Sequence, residues 1–230
     1  MPDFTNKVVL ITGATGGLGG AIVDAFLNAN ATVVAVGRSV EERPRVDRFI
    51  PFPADLTNPE GAKSAVESAL KITGNLGAVV HVMGAFAGGQ PVEETTDDTL
   101  DKMLTLNLKA AFHVCRAALP PMKNAGYGRI VAIGSRSGVS PSAGLSAYNI
   151  SKAALNSLIQ TVAIEAQPHG ITANVVMPSV IDTPANRKAM PGADFSAWVT
   201  PESIAATVLW LASPESKDTS GALIPSYGRS

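Results

Sequence analysis

The sequence predicts an α/β fold, a doubly wound parallel sheet of about seven strands with helices on both faces. Three observations lead there. Short apolar runs alternate with longer segments of helical period along the whole chain. The runs are nearly continuous Val and Ile instead of alternating with polar residues, the pattern of strands buried on both faces and therefore paired in parallel. The first run opens directly into a glycine-rich turn and a helix. A length of 230 residues suits one such unit, so a single domain over 1–230 is expected.

The elements follow in order. KVVLIT (7–12) is the first strand, and the turn TGATGGLG (12–19) leads into a helix at about 18–29. TVVAV (32–36) and RFIPF (48–52) are the next two strands, followed by a helix at 59–72. AVVHVM (78–83) is strand four, and one long helix is expected over 98–123. RIVAIGS (129–135) is strand five, followed by a helix over 147–166. ITANVVM (171–177) is strand six, and ALIP (222–225) is the last. The helix at 201–212 has Pro201 in its first turn and Thr200 as N-cap. Residues 178–200 fit neither period and are too many for a simple connection, so a functional loop is expected there. Its Met190, Phe195 and Trp198 argue against disorder.

Composition excludes several functions. With 18 basic and 19 acidic side chains and no long run of either sign, neither nucleic acid nor an anionic membrane is an expected partner. A hydrophobic fraction of 46% with mean hydropathy +0.19 suggests a well-buried core and subunit interfaces. No apolar run approaches the roughly 18 residues of a spanning helix. The N-terminal run is too short for a signal peptide, so a cytoplasmic setting is expected. The single cysteine, Cys115, reads as packing. No metal-ligand cluster is expected.

Chemistry first shows in the turn. Glycines at 13, 17 and 19 permit a tight bend, close approach of backbone N–H groups to a pyrophosphate, and close helix packing. Gly13, Thr15, Gly16, Gly17, Leu18 and Gly19 are thus the expected dinucleotide cradle. Where an acid would bond an unphosphorylated ribose at the end of strand two, the chain has Gly37, then Arg38 and Ser39. A guanidinium suits a 2′-phosphate, so NADP(H) is favoured over NAD(H), with a solvated surface arginine as the alternative.

In SAYNISKAAL (146–155), Tyr148, Lys152, Leu155 and Ile159 share one helical stripe that the apolar pair turns inward. A buried ammonium is costly unless something offsets it. A phenol titrates near 10, and poising it near 7 takes about 4 kcal/mol. A cation about 4 Å away at an effective dielectric constant of roughly 20 supplies about that much. Ser135 ends strand five, and Asn107 lies within an apolar helix.

Together with TGATGGLG, these residues resemble the short-chain dehydrogenase/reductase family along nearly the whole chain, which implies a Rossmann-type fold. The resemblance implies that Tyr148 is general acid or base, that Ser135 holds the substrate oxygen, and that Lys152 bonds the nicotinamide ribose and lowers the phenol's pKa. It implies that Asn107 interrupts its helix to hold a water. It also implies cofactor contacts from Asp55 and Leu56 (PADL), Gly84, Pro178, Ile181 and Thr183. The chain departs from the family's Asn-Asn-Ala-Gly after strand four, where it has His81-Val82-Met83-Gly84, and Ser179 replaces a usual glycine. Residues 182–198 and GAFAGG (84–89) are similar to dihydropteridine reductases, although Arg38 and Ser135 depart from that group.

Three functions are therefore expected in order: an NADPH-dependent reductase of a small carbonyl or the reverse dehydrogenase, a pteridine-type reductase, and a nonenzymatic dinucleotide sensor. Phe86, Met190 and Trp198 are the expected substrate contacts beside Ser135 and Tyr148, with Phe195 equally suited to packing the loop. Pairing of the two long helices implies a homodimer or homotetramer.

Overall fold

The computed structural model describes residues 2–37, 39–40 and 46–229. Arg38 lies outside the described residues. Seven strands form one all-parallel sheet: β1 (Val8–Thr12), β2 (Thr32–Val36), β3 (Phe49–Phe52), β4 (Ala78–His81), β5 (Gly128–Ile133), β6 (Ile171–Pro178) and β7 (Leu223–Ser226). Their order is β3-β2-β1-β4-β5-β6-β7. The chain moves outward from β1 in one direction to β3, then returns to pair β4 on the other side of β1, in register Val9↔Ala78 to Thr12↔His81. That reversal opens a crevice at the carboxyl ends of β1 and β4.

The helices are α1 (Gly17–Asn28), α2 (Pro59–Thr73), α3 (Asp97–Leu104), α4 (Ala110–Ala125), α5 (Ser146–Ala166), α6 (Pro184–Ala189) and α7 (Pro201–Leu211). One sheet face buries Val8, Leu10, Val79 and Ile130 under α2, α4 and α5. The other buries Val9, Ile11, Val33 and Val80 under α1 and α7. Both faces are apolar because every internal strand is covered twice. Local chemistry fixes the ends, that of α7 as expected. Thr200 accepts from Ser203 N at 3.2 Å ahead of Pro201, and Asn58 caps α2 through Gly61 N at 2.8 Å.

Three boundaries differ from the sequence reading. β4 stops at His81 because the Thr12 hydroxyl accepts the Val82 and Met83 N–H groups, each at 3.1 Å. A side chain thus takes over from the ladder, and the strand peels away. β5 stops at Ile133, so Ser135 stands just beyond the strand instead of ending it. The expected helix over 98–123 is interrupted by a π-helical turn, Thr105–Lys109. The 178–200 segment is more ordered than a loop: it contains α6, and a parallel bridge between Ile181 and Val199 closes its base. Among the described residues, no helix is long and apolar enough to cross a membrane.

Candidate active site

The candidate residues come from four elements whose ends meet along the crevice. Gly13, with φ at 66°, turns the chain out of β1, and a Cβ there would stand 2.7 Å from Met83 N. A Cβ at Gly19 would overlap Gly13 O. Only glycine lets β1, β4 and the start of α1 approach so closely. A Cβ at Gly17 would stand 3.0 Å from the Thr183 methyl, so the residue after β6 faces the same turn. α1 begins with no side-chain cap at Gly16 and no acid in its first turn. Its first N–H groups are left for an anion, which fits the pyrophosphate of a dinucleotide. Thr15, Gly16 and Gly17 are exposed there, whereas the Leu18 side chain is buried in the core and only its backbone faces the turn.

At the end of β2, the Cβ position of Gly37 lies 3.5 Å from the Thr15 hydroxyl, so no acidic side chain occupies that point. Ser39 is exposed. Beyond β3, Asp55 Oδ1 accepts from Thr57 N at 2.9 Å and from its hydroxyl at 2.7 Å. Leu56 is buried, and its carbonyl meets His113 Nδ1 at 3.2 Å. Pro178 closes β6, and the Ile181 carbonyl accepts from Asn186 Nδ2 at 2.8 Å. Thr183 caps α6 through Asn186 N at 3.3 Å.

Tyr148 and Lys152 lie on successive turns of α5, with Nζ 5.9 Å from the phenol ring centre. Lys152 is buried, and Nζ donates to Ile133 O at 3.0 Å. Burial pushes its pKa down from 10.5 to about 8, so the ammonium still predominates at neutral pH. Ser135 is buried in extended backbone and hydrogen-bonds the Tyr148 phenol. Burial nonetheless pushes the phenol's pKa upward, with that bond as the opposing influence. The expected poise near neutrality is thus not found in the protein alone. The ammonium is held by a carbonyl, and desolvation prevails.

Asn107 sits in the π-turn. Its Oδ1 accepts from Ala85 N at 2.7 Å, and its Nδ2 donates to Ala85 O at 3.0 Å and Ser151 Oγ at 2.9 Å. The inserted residue turns this amide toward the loop after β4 and α5, and its full occupation locks the interruption. Gly84 sits at the meeting point: a Cβ there would lie 2.9 Å from Asn107 Oδ1 and 3.3 Å from Lys152 Nζ.

His81 is a buried member of the same region. Because the Thr12 hydroxyl already accepts two N–H groups, its own hydrogen is left for His81 Nδ1 at 3.1 Å. The imidazole then carries its proton on Nε2, which is buried without a hydrogen-bond partner among the described residues. Burial first, and the nearby Lys152 charge second, push its pKa down from 6.5 to about 3.

Of the expected substrate contacts, Phe86 is 67% exposed with its ring edge-on to Tyr148 at 5.0 Å between centres. Met190 is exposed on the turn after α6. Trp198 is buried, with its ring 4.8 Å from Phe195, so these two pack the loop onto itself. The sequence reading missed Thr12 and Ser151, which brace the site, and a cavity of about 210 Å³ beside Phe86 lined by Gln90, Thr95, Thr99, Leu145, Ser146 and Ala147 among others. Single small polar residues on a strand or helix, bonding partners far away in sequence, carry no periodic signal that would have found them.

The family pattern described as short chain dehydrogenase matches residues 7–193. A 3beta-hydroxysteroid dehydrogenase of Mediterraneibacter gnavus is 29% identical, over 99% of this chain and 96% of its own. The cyclic-di-GMP-binding biofilm dispersal mediator protein of Escherichia coli K12 is 34% identical, over 97% and 96%. Among solved structures, one titled ElxO with NADP bound superposes with a TM-score of 0.91 at 24% identity, over 99% of this chain and 98% of its own, a likeness of fold.

Proposed function

The chain belongs to the short-chain dehydrogenase family, and on that footing we propose that it is an NADPH-dependent reductase of a small carbonyl compound, working in reverse on the alcohol. The observation that carries this reading is the grouping of Asn107 and Lys152 at Gly84, beyond the carboxyl end of β4, with Tyr148 one helical turn from Lys152 and hydrogen-bonded to Ser135. The glycine cradle and the uncapped start of α1 fit a dinucleotide. The glycine at the end of β2, followed in sequence by Arg38 and Ser39, favours a 2′-phosphate over a free ribose diol.

When bound, the dinucleotide supplies a hydride for the carbonyl carbon. The chain's own residues handle the oxygen. Ser135 donates to it, and Tyr148, whose phenol burial keeps protonated, releases its hydrogen to the oxygen as the C–O double bond opens, so that carbonyl plus hydride plus proton gives the alcohol. Lys152 then stabilises the phenolate and carries donors for a ribose. Asn107 holds the π-turn open, and a backbone carbonyl released there can anchor a water that returns a proton to Lys152.

Changing Tyr148 to Phe is expected to preserve NADPH binding and lower turnover at least about a hundredfold; unchanged turnover would remove Tyr148 from the mechanism. Arg38→Ala is expected to weaken NADPH roughly tenfold to a hundredfold and to spare NADH. Equal losses for both in a fluorescence titration would contradict the phosphate assignment.

A second reading, a nucleotide-binding regulator without catalysis, is favoured by the 34% identity to the cyclic-di-GMP-binding protein. Screening NADPH oxidation against ketones, aldehydes and quinonoid pteridines separates the readings, because a regulator turns over none of them. For self-association, a homodimer or homotetramer through α4 and α5 is supported by exposed Phe112, Ile150 and Ile164.

A further inference from the structure

Resting on the reductase reading and narrowing it, we propose that the substrate is an uncharged carbonyl compound with a single ring, which lies against Phe86 and extends into the cavity at the start of α5. The cavity is next to the chemistry. The Phe86 ring is edge-on to Tyr148, and its tip lies 3.4 Å from where a Cβ on Gly88 would stand, with a Leu145 methyl closer still. Gly88 and Leu145 both line the cavity. Phe86 therefore bridges the phenol and this space, and its exposed face is free to receive a flat ring.

Size sets one bound. At about 210 Å³ the cavity is below the usual range for ligand pockets. A space of that size suits one six-membered ring with a small substituent better than a fused four-ring skeleton. The walls are tied: Gly89 N donates to Gly144 O at 2.8 Å, and the Thr95 and Ser146 hydroxyls meet at 3.0 Å.

Charge sets the other bound. Not one of the lining residues is ionisable. The start of α5 contributes about half a positive charge. Against it stand Glu93, Glu94, Asp97 and Asp98, exposed on the segment that carries Thr95 and Thr99. No lining side chain offers an ion of either sign a full countercharge; the carboxylates carried on the same segment as Thr95 and Thr99 disfavour an anion, and the helix start disfavours a cation. Polar neutral groups are served. Thr95 gives its hydrogen to Pro91 O at 3.0 Å, so Ser146 donates to Thr95 and keeps its own lone pairs for a hydroxyl on the substrate.

The test compares kcat/KM with NADPH for benzaldehyde, butanone, 4-formylbenzenesulfonate and a steroid 3-ketone. Benzaldehyde is expected to exceed each of the others at least tenfold. Phe86→Ala is expected to lower kcat/KM for benzaldehyde about tenfold more than for butanone, and Thr99→Leu, which fills the far wall, to raise KM for benzaldehyde more than for butanone. Equal or better use of the sulfonate or the steroid, or equal effects of Phe86→Ala on both small substrates, would overturn the inference and leave the reductase standing. Turnover of none of the four, nor of any carbonyl in the wider screen, would remove the reductase reading and this inference with it.

Discussion

His81 offers a test that needs no substrate. Its imidazole is buried, holds its proton on Nε2 without a partner, and protonates only near pH 3 instead of the ordinary 6.5. The unfolded chain takes up a proton as the pH falls through 6.5, and the folded chain does not until about 3. Stability present above 6.5 is therefore lost progressively on acidification. At pH 5, about 1.5 pH units below the free value, the loss is about 2 kcal/mol, taking roughly 1.4 kcal/mol per unit. For a chain of this length that corresponds to a fall of about 4–8 °C in Tm. His81→Asn removes the titrating group while keeping an acceptor for Thr12 and a donor in place of Nε2–H. The measurement is urea unfolding of the cofactor-free protein and of the variant at pH 7.5 and 5. The drop between the two pH values should be about 2 kcal/mol larger for the unmodified chain, whatever the variant's own cost. Equal drops would mean that His81 is not the buried neutral group described.

Lys152 gives the same sign in a higher pH window. With its pKa lowered to about 8, the folded chain releases this proton before the unfolded chain does at 10.5, so stability attributable to Lys152 rises across that interval by roughly 3 kcal/mol. Lys152→Met should abolish that rise in thermal melts from pH 8 to 10.5, and a rise that survives the substitution would refute the assignment. Ile150 and Ile164 are exposed on α5 at nearly the same angle, four turns apart. Ile150→Glu together with Ile164→Glu should convert a dimer or tetramer to a smaller species in light scattering without loss of helical signal, and an unchanged mass would place the interface elsewhere.

Much of the fold was legible because buried parallel strands advertise themselves. Runs such as VVLIT and TVVAV have no polar face, and their interiors appear as read. Their ends were not legible, because β4 is stopped by a hydroxyl on β1, a partner 70 residues away that no local pattern reveals. Periodicity likewise called for one uninterrupted helix over 98–123. A π-turn adds a residue without changing which side chains are apolar, and it is held by Asn107 bonding a loop on another element. The pair Tyr148 and Lys152 could be seen from spacing alone. What Lys152 touches, the Ile133 carbonyl, could not, nor could the burial that pushes the phenol's pKa upward.

The bridge between Ile181 and Val199 has an evolutionary corollary. Asp182 N donates to Val199 O at 2.8 Å, and Val199 N to Val180 O at 3.1 Å, so the two feet of the excursion are stapled beside each other before α7 begins. Whatever is spliced between those feet begins and ends at the same place. Insertions, deletions or a wholesale graft from a cousin with other tastes would leave the load on the sheet unchanged, and such a scaffold can change its diet one cassette at a time.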